Sequence, residues 1–337
     1  MNLTFYGVRG STPTHGSEYL KYGGNSSSLF VRAKDGSPYL FDAGSGIRNA
    51  GNDLLRNAAE TNIKKVKLFL SHHHWDHILG FPFFAPIYTK GWDISVYSGA
   101  KEMFRKTRVQ EKRVQENNPD DRLRSNPVND YITDYVNDSA KRNKDSKCID
   151  SELKKVFEGQ FDRHEGYFPV SLDDLAAVVS FHDLHQGEKV NSPLTVYHFL
   201  HDAHPGGMSS YRVEESGKSF VYTGDYESDF QRCNAQFGVI DKRLISFAKE
   251  VDVLVMDGQY TLAEYEQKKG FGHSPYTKVC EIAAAAKVKK LIITHHDPSH
   301  TDDVLDAMEF DARNYMSFIL GKDISVVFAK EGMNLEI

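Results

Sequence analysis

The segment Ser71-His-His-His-Trp-Asp-His77 constrains this chain more than any other stretch. Its pattern, His72-x-His74-x-Asp76-His77, sets four metal-competent side chains within six residues. The preceding Val66-Lys-Leu-Phe-Leu-Ser71 is apolar and β-prone, so the cluster falls where a strand ends. Imidazole and carboxylate donors suit zinc, manganese or iron rather than copper(I). Clustered His and Asp side chains repel or strain one another without an ion between them. A dinuclear site needs more donors than one loop supplies, so further ligand types are expected after other strands.

They are found in that context. His204 follows the strand-like Thr195–Leu200, within His201-Asp-Ala-His204-Pro-Gly-Gly207. Asp225 follows Phe220-Val-Tyr-Thr223, and His295 follows Leu291-Ile-Ile-Thr294. Each is an apolar strand that stops at a ligand type, the arrangement by which a rigid sheet fixes a site.

The remainder of the chain reads as short strands joined by Gly-rich turns, with helices interspersed. Strands are expected at Leu3–Phe5, Ser28–Arg32, Pro38–Asp42, Lys65–Leu70, Trp92–Tyr97, Leu175–Phe181, Thr195–Leu200, Ser219–Thr223, Val251–Asp257, Lys290–Thr294 and Ile324–Phe328. Helices are expected after Asp42-Ala-Gly-Ser-Gly-Ile47, reaching about Ala59, and from Tyr276 to about Ala286. Two sheets with helices packed outside fit this order. The whole of 1–337 reads as a single domain, interrupted at 100–150 by a charged, partly helical surface insertion.

With 40% hydrophobic residues, the chain is of globular rather than disordered composition. A formal net charge of −6 provides no global basic field for holding nucleic acid through its phosphates, though a local basic patch stays open. The start lacks the layout of a signal peptide and no long apolar run suggests a membrane span. The three cysteines, Cys148, Cys233 and Cys280, show no CxxC spacing. Cytoplasmic localisation with reduced thiols is therefore expected.

The ordered set Asp42, His72/His74/Asp76/His77, His204, Asp225 and His295 resembles the metallo-β-lactamase-fold hydrolases. Gly272-His273-Ser274, ahead of the final His, resembles the phosphodiesterase branch that includes tRNase Z, where a catalytic His stands in this place. The resemblance implies an α/β fold, the metallo-β-lactamase αβ/βα four-layer sandwich. It also implies two divalent metal ions, zinc first and manganese or iron as alternatives. One ion would take His72, His74 and His204, and the other Asp76, His77 and His295, with Asp225 bridging. Asp42 would lie beneath the site and orient a ligand. The residues assigned to catalysis are Asp76 and His273, the latter as general acid to the leaving alkoxide of a diester attacked by a metal-bridging hydroxide. Arg9, Asn25 and His296 are the expected substrate-binding residues. His201 competes with His204, and His296 with His295; the family register favours His204 and His295. His73 is expected to be packed beside the site.

The expected reaction is hydrolysis of a small phosphodiester, a cyclic nucleotide or related nucleotide, since the net charge is acidic and no tRNA-gripping arm is evident. The alternatives are a tRNase Z-like RNA endonuclease, with RNA held by the charged insertion, and a non-enzymatic metal-binding regulatory module on the same scaffold. A homodimer is open, and no membrane partner is expected.

Overall fold

The computed structural model describes residues 1–99, 151–162, 168–232 and 236–337. The charged insertion expected at 100–150 lies outside the described residues, as do Cys148 and Cys233.

Two seven-stranded sheets form the centre. The first contains β1 (Asn2–Gly7), β2 (Ser28–Arg32), β3 (Pro38–Phe41), β4 (Lys65–Leu70), β5 (Asp93–Gly99), β6 (Val178–Leu184) and β14 (Asn334–Glu336), in the order β14-β1-β2-β3-β4-β5-β6. The second contains β7 (Lys189–Ser192), β8 (Leu194–His201), β9 (Met208–Glu215), β10 (Lys218–Tyr222), β11 (Val253–Asp257), β12 (Lys290–Thr294) and β13 (Ser325–Phe328), in the order β13-β12-β11-β10-β9-β8-β7. Each sheet is antiparallel in one half and parallel in the other. Strands β3 to β6 run parallel in the first, and β10 to β13 in the second. The parallel strands alternate with helices because a parallel return needs a crossover.

The helices cover the outer faces. On the first sheet lie α1 (Ile47–Thr61), the short α2 (Trp75–Ile78) and α3 (Glu152–Gln160). On the second lie α4 (Val239–Phe247), α6 (Tyr276–Ala286) and α7 (Asp302–Asn314), while α5 (Leu262–Lys268) leads into the loop before His273. Three apolar layers result. The inner one joins Phe5, Tyr39, Phe41 and Phe69 of one sheet to Tyr211, Phe220, Tyr222 and Val255 of the other. Phe41 stacks on Phe69 at 5.4 Å and meets Phe220 edge-on at 5.7 Å. Each such buried ring stabilises the sandwich by about 2 kcal/mol. Cys280 is buried in the layer beneath α6. The architecture is the αβ/βα sandwich.

Strands β7, β9 and β14 and helices α2, α3, α4, α5 and α7 add to the elements expected from local patterning. β9 escapes it because five of its eight residues are buried, on both faces, so its pattern does not alternate. Among the described residues no helix is long and apolar enough to cross a membrane.

Candidate metal centre

The functional side chains converge where strands stop. β4 ends at Leu70, and the next residues carry His72 and His74 before α2 presents Asp76 and His77. β8 leads to His204, β10 to Asp225, β11 ends at Asp257 and β12 leads to His295. Both sheets thus deliver donors to one place.

Two clusters form there: His72, His74, His204 and Asp225, and Asp76, His77, Asp225 and His295, each with one donor atom per residue within 4.8 Å of the others. Asp225 belongs to both, and its two oxygens divide between them. Oδ1 lies 3.0 Å from Nε2 of His77 and 3.0 Å from Nε2 of His295. Oδ2 faces the other way, 3.4 Å from Nε2 of His72 and 3.8 Å from Nε2 of His204. In the second cluster Asp76 Oδ2 stands 3.2 Å from His77 Nε2 and 3.1 Å from His295 Nε2, and accepts the backbone N–H of Ser11 at 2.8 Å.

These residues fit a pair of divalent cations. His72 Nε2 and Asp225 Oδ1 are buried without a hydrogen bond among the described residues, although partner atoms stand close by. Lone pairs aimed at a shared point rather than at one another produce this geometry, and a buried polar atom left so is costly unless a cation takes it. The electrostatics agree. Burial pushes the His72 imidazole well below its ordinary pKa and His74 down to about 4, which keeps them neutral and able to ligate. For His77 and His295 burial acts in the same direction and is the largest single influence, but the surrounding carboxylates, Asp225 foremost with Asp76 beside it, together outweigh it. His77 rises well above its ordinary value and His295 to about 10. Desolvation opposes the ionised Asp225 too, yet the surrounding imidazoles hold its pKa well below the usual carboxylate range. The centre demands positive charge.

Asp42 lies beneath it. Its Oδ2 accepts from His77 Nδ1 at 2.7 Å, from the Tyr222 hydroxyl at 2.7 Å and from the Ser71 hydroxyl at 2.8 Å, while Oδ1 accepts the Ser71 N–H at 2.7 Å. The backbone at Asp42 is left-handed, with φ 61°, a strain held by those four bonds. The carboxylate thereby keeps His77 Nε2 turned toward the centre. His204 is oriented similarly by Nδ1, 2.8 Å from the carbonyl of Gly272. A Cβ at Gly272 (φ 97°) would come within 2.0 Å of that same nitrogen, so only glycine permits the approach.

His273 is buried against the centre. Its ring stacks on His295 at 4.8 Å and tilts toward His204 at 5.3 Å, and Nδ1 is 2.8 Å from Asp257 Oδ2. Asp257 went unassigned in the sequence. The signal was present, an Asp ending an apolar strand as Asp225 and His295 do, but it was absorbed into the strand itself. With Asp225, His273 and His295 it makes a third group of donors within 4.8 Å.

The substrate-binding expectations need correction. Arg9 is fully buried, with Nε donating to the Gly23 carbonyl at 2.8 Å and Nη1 to the carbonyls of Asp297 and His300 at 3.2 and 2.6 Å. Its guanidinium ties loops together under the surface and offers no fork to a phosphate. Asn25 donates to Glu331 at 2.9 Å and accepts from the Ser45 hydroxyl at 2.9 Å, so its amide is consumed in the same scaffold. His296 is buried, stacks on Phe328 at 5.4 Å and bonds the Ala329 carbonyl at 2.9 Å, so its ring too is engaged in the scaffold. His201 is drawn off to Ser210 at 2.8 Å, and His73 to Ser98 at 2.9 Å.

Comparison with known proteins follows the same line. The metallo-beta-lactamase superfamily model matches residues 21–138, and the beta-lactamase superfamily domain model matches residues 146–296. Ribonuclease Z of Haloarcula marismortui is 25% identical over 351 residues, covering 100% of this chain and 97% of the relative. The fold is shared with the metallo-beta-lactamase fold protein YhfI from Bacillus subtilis (TM-score 0.58, 15% identity, 100% of this chain and 98% of that one). It is shared also with human tRNase Z, short form (TM-score 0.55, 17% identity, 100% and 99%). The expectation of a cyclic nucleotide or other small diester as substrate is thereby overturned. The full-length relatives carry a ribonuclease name, and the acidic net charge that favoured a small substrate averages over a surface on which only the local field at the site matters. The chain belongs to the metallo-β-lactamase superfamily and is a metal-dependent hydrolase of its tRNase Z-like branch.

Proposed function

We propose that the protein is an RNA endonuclease of the tRNase Z type, cleaving a phosphodiester in a precursor RNA. The observation that carries this reading is the Asp257–His273 pair beside the two donor clusters, in a chain alignable over its whole length with ribonucleases Z. His72, His74 and His204 would hold one cation and Asp76, His77 and His295 the other, with Asp225 serving both. Zinc suits this His-rich set best, with manganese or iron as alternatives. Bound cations would supply Lewis acidity toward a phosphoryl oxygen and a nucleophile at neutral pH.

The residues of the chain supply the rest. Asp42 and the Gly272 carbonyl fix the tautomers of His77 and His204, so that each turns Nε2 to the centre. Asp257 accepts a hydrogen bond from Nδ1–H of His273, so that the imidazolium form has its Nε2–H free to hand to the leaving alkoxide and returns to the neutral Nδ1–H tautomer. His74 is the exposed member of the first cluster, so the approach for an RNA strand lies on its side.

The test is incubation of metal-loaded protein with a precursor tRNA bearing a 3′ extension. Cleavage at one position, abolished by chelation and restored by zinc or manganese, is expected. Hydrolysis of bis-p-nitrophenyl phosphate without cleavage of any RNA would overturn the reading.

A further inference from the structure

Trp75 and Phe271 stand at the rim of the centre with most of their side chains in water, 71% and 62% exposed. Trp75 lies between His74 and Asp76, and Phe271 is two residues before His273. A single imidazole links their neighbours in space. His204 Nε2 is 2.9 Å from His74 Nδ1, and His204 Nδ1 is 2.8 Å from the Gly272 carbonyl.

Phe271 is held outward from its base. The glycines on either side, Gly270 (φ 85°) and Gly272 (φ 97°), are both left-handed. One buried carboxylate, Glu227, accepts both of their N–H groups, Gly270 at 2.7 Å and Gly272 at 3.0 Å. The Tyr265 hydroxyl donates to the same carboxylate at 2.9 Å. An aromatic ring anchored in water is unfavourable unless a ligand covers it. The nearby lysines do not offer phosphates a free charge, since Lys268 pairs with Asp297 at 2.9 Å and Lys269 with Glu266 at 2.6 Å. Flat apolar surface is what this rim presents.

We propose that Phe271 and Trp75 form a stacking platform for the bases flanking the scissile phosphodiester. The proposal rests on the RNA-endonuclease reading and adds to it the contact that grips the strand. Every nucleobase has a π face, so such a platform holds RNA at the cleavage point without selecting a sequence.

Two readouts test it. The chain has two tryptophans, and Trp92 is buried at 1% exposure, so a fluorescence change on adding RNA reports Trp75. Stopped-flow mixing of the metal-loaded protein with a single-stranded oligoribonucleotide should quench it before cleavage. Phe271→Ala should lower kcat/KM on precursor RNA roughly 10- to 100-fold, mainly through KM, and Phe271→Trp should restore most of the loss. Replacing the flanking nucleotides by abasic ones should cost the parent a similar factor, and the ratio between intact and abasic RNA should collapse toward one in Phe271→Ala. Metal content and thermal midpoint of the variant control for folding. An unquenched Trp75, a parent indifferent to abasic substitution, or a Phe271→Ala variant equal to the parent on intact RNA would each overturn the platform. A parent that cleaves no RNA sinks the endonuclease reading itself, and the platform with it.

Discussion

Asp257 Oδ2 lies 2.8 Å from Nδ1 of His273, and the same carboxylate is held by the backbone N–H groups of Tyr226 and Gln259, each at 3.0 Å. A fixed acceptor of this kind commits the imidazole to one tautomer. His273→Ala should cut turnover by about 10²- to 10⁴-fold, the range for loss of a general acid, while metal content stays at the parent's level. Asp257→Asn should show a smaller loss of kcat with a displaced pH profile. A fully active His273→Ala removes the residue from the chemistry.

Asp225 touches both donor clusters through different oxygens. Asp225→Ala should therefore lose metal and activity together, whereas a residue serving one cluster, such as His74, should spare part of the metal. Elemental analysis of each purified variant decides it. Chelation of the parent should lower its thermal midpoint, because cations bound only by the folded state stabilise it. Retention of the parent's metal content by Asp225→Ala would contradict the shared position.

Asp42 accepts four hydrogen bonds in a fully buried place. Asp42→Ala strands the Tyr222 hydroxyl and the Ser71 N–H, so a destabilisation of about 3 kcal/mol or more is expected. Metal affinity should fall about 10- to 100-fold as His77 loses its orienting partner. Urea unfolding and competition with a chelator measure the two effects. Tyr222→Phe, which removes one donor, should cost only about 1 kcal/mol.

His201 responds to pH in the opposite sense from a salt-bridged histidine. Burial, reinforced by the Arg243 charge, lowers its pKa from 6.5 to about 3. The folded state therefore favours the neutral ring, and the stability this lends is whole above pH 6.5 and drains away as pH falls toward 3. In that window the group contributes a slope of up to about 1.4 kcal/mol per pH unit. His201→Gln keeps an amide for Ser210 and should flatten the acid limb of the stability curve by that amount. Parallel curves for parent and variant, from urea unfolding between pH 7.5 and about 4, would refute the assignment.

The strand-end donors were legible because their signals are local. An apolar run followed at once by His or Asp shows in the chain order, and His72 to His77 lie within one loop. The boundaries of β2, β4, α6 and β12 coincide with the sequence patterning for the same reason, since each has apolar residues at the spacing its element requires. β9 and α7 did not stand out, because burial on two faces and a charged surface blur the period.

The Gly-rich loops bearing Arg9 and Asn25 look like substrate loops in the chain, yet the fold turns both side chains inward. Which carbonyl or carboxylate a side chain meets depends on loops hundreds of residues apart, as with Arg9 and His300. The pairing of Asp257 with His273, and the rigid exposure of Phe271 above Glu227, are decided in the same way. The sequence by itself determined the donors, their order and the strands that carry them. The tertiary structure alone decided which polar groups face the centre and which are consumed in holding it, because a buried hydrogen-bonding group must find its partner wherever the packed chain places one.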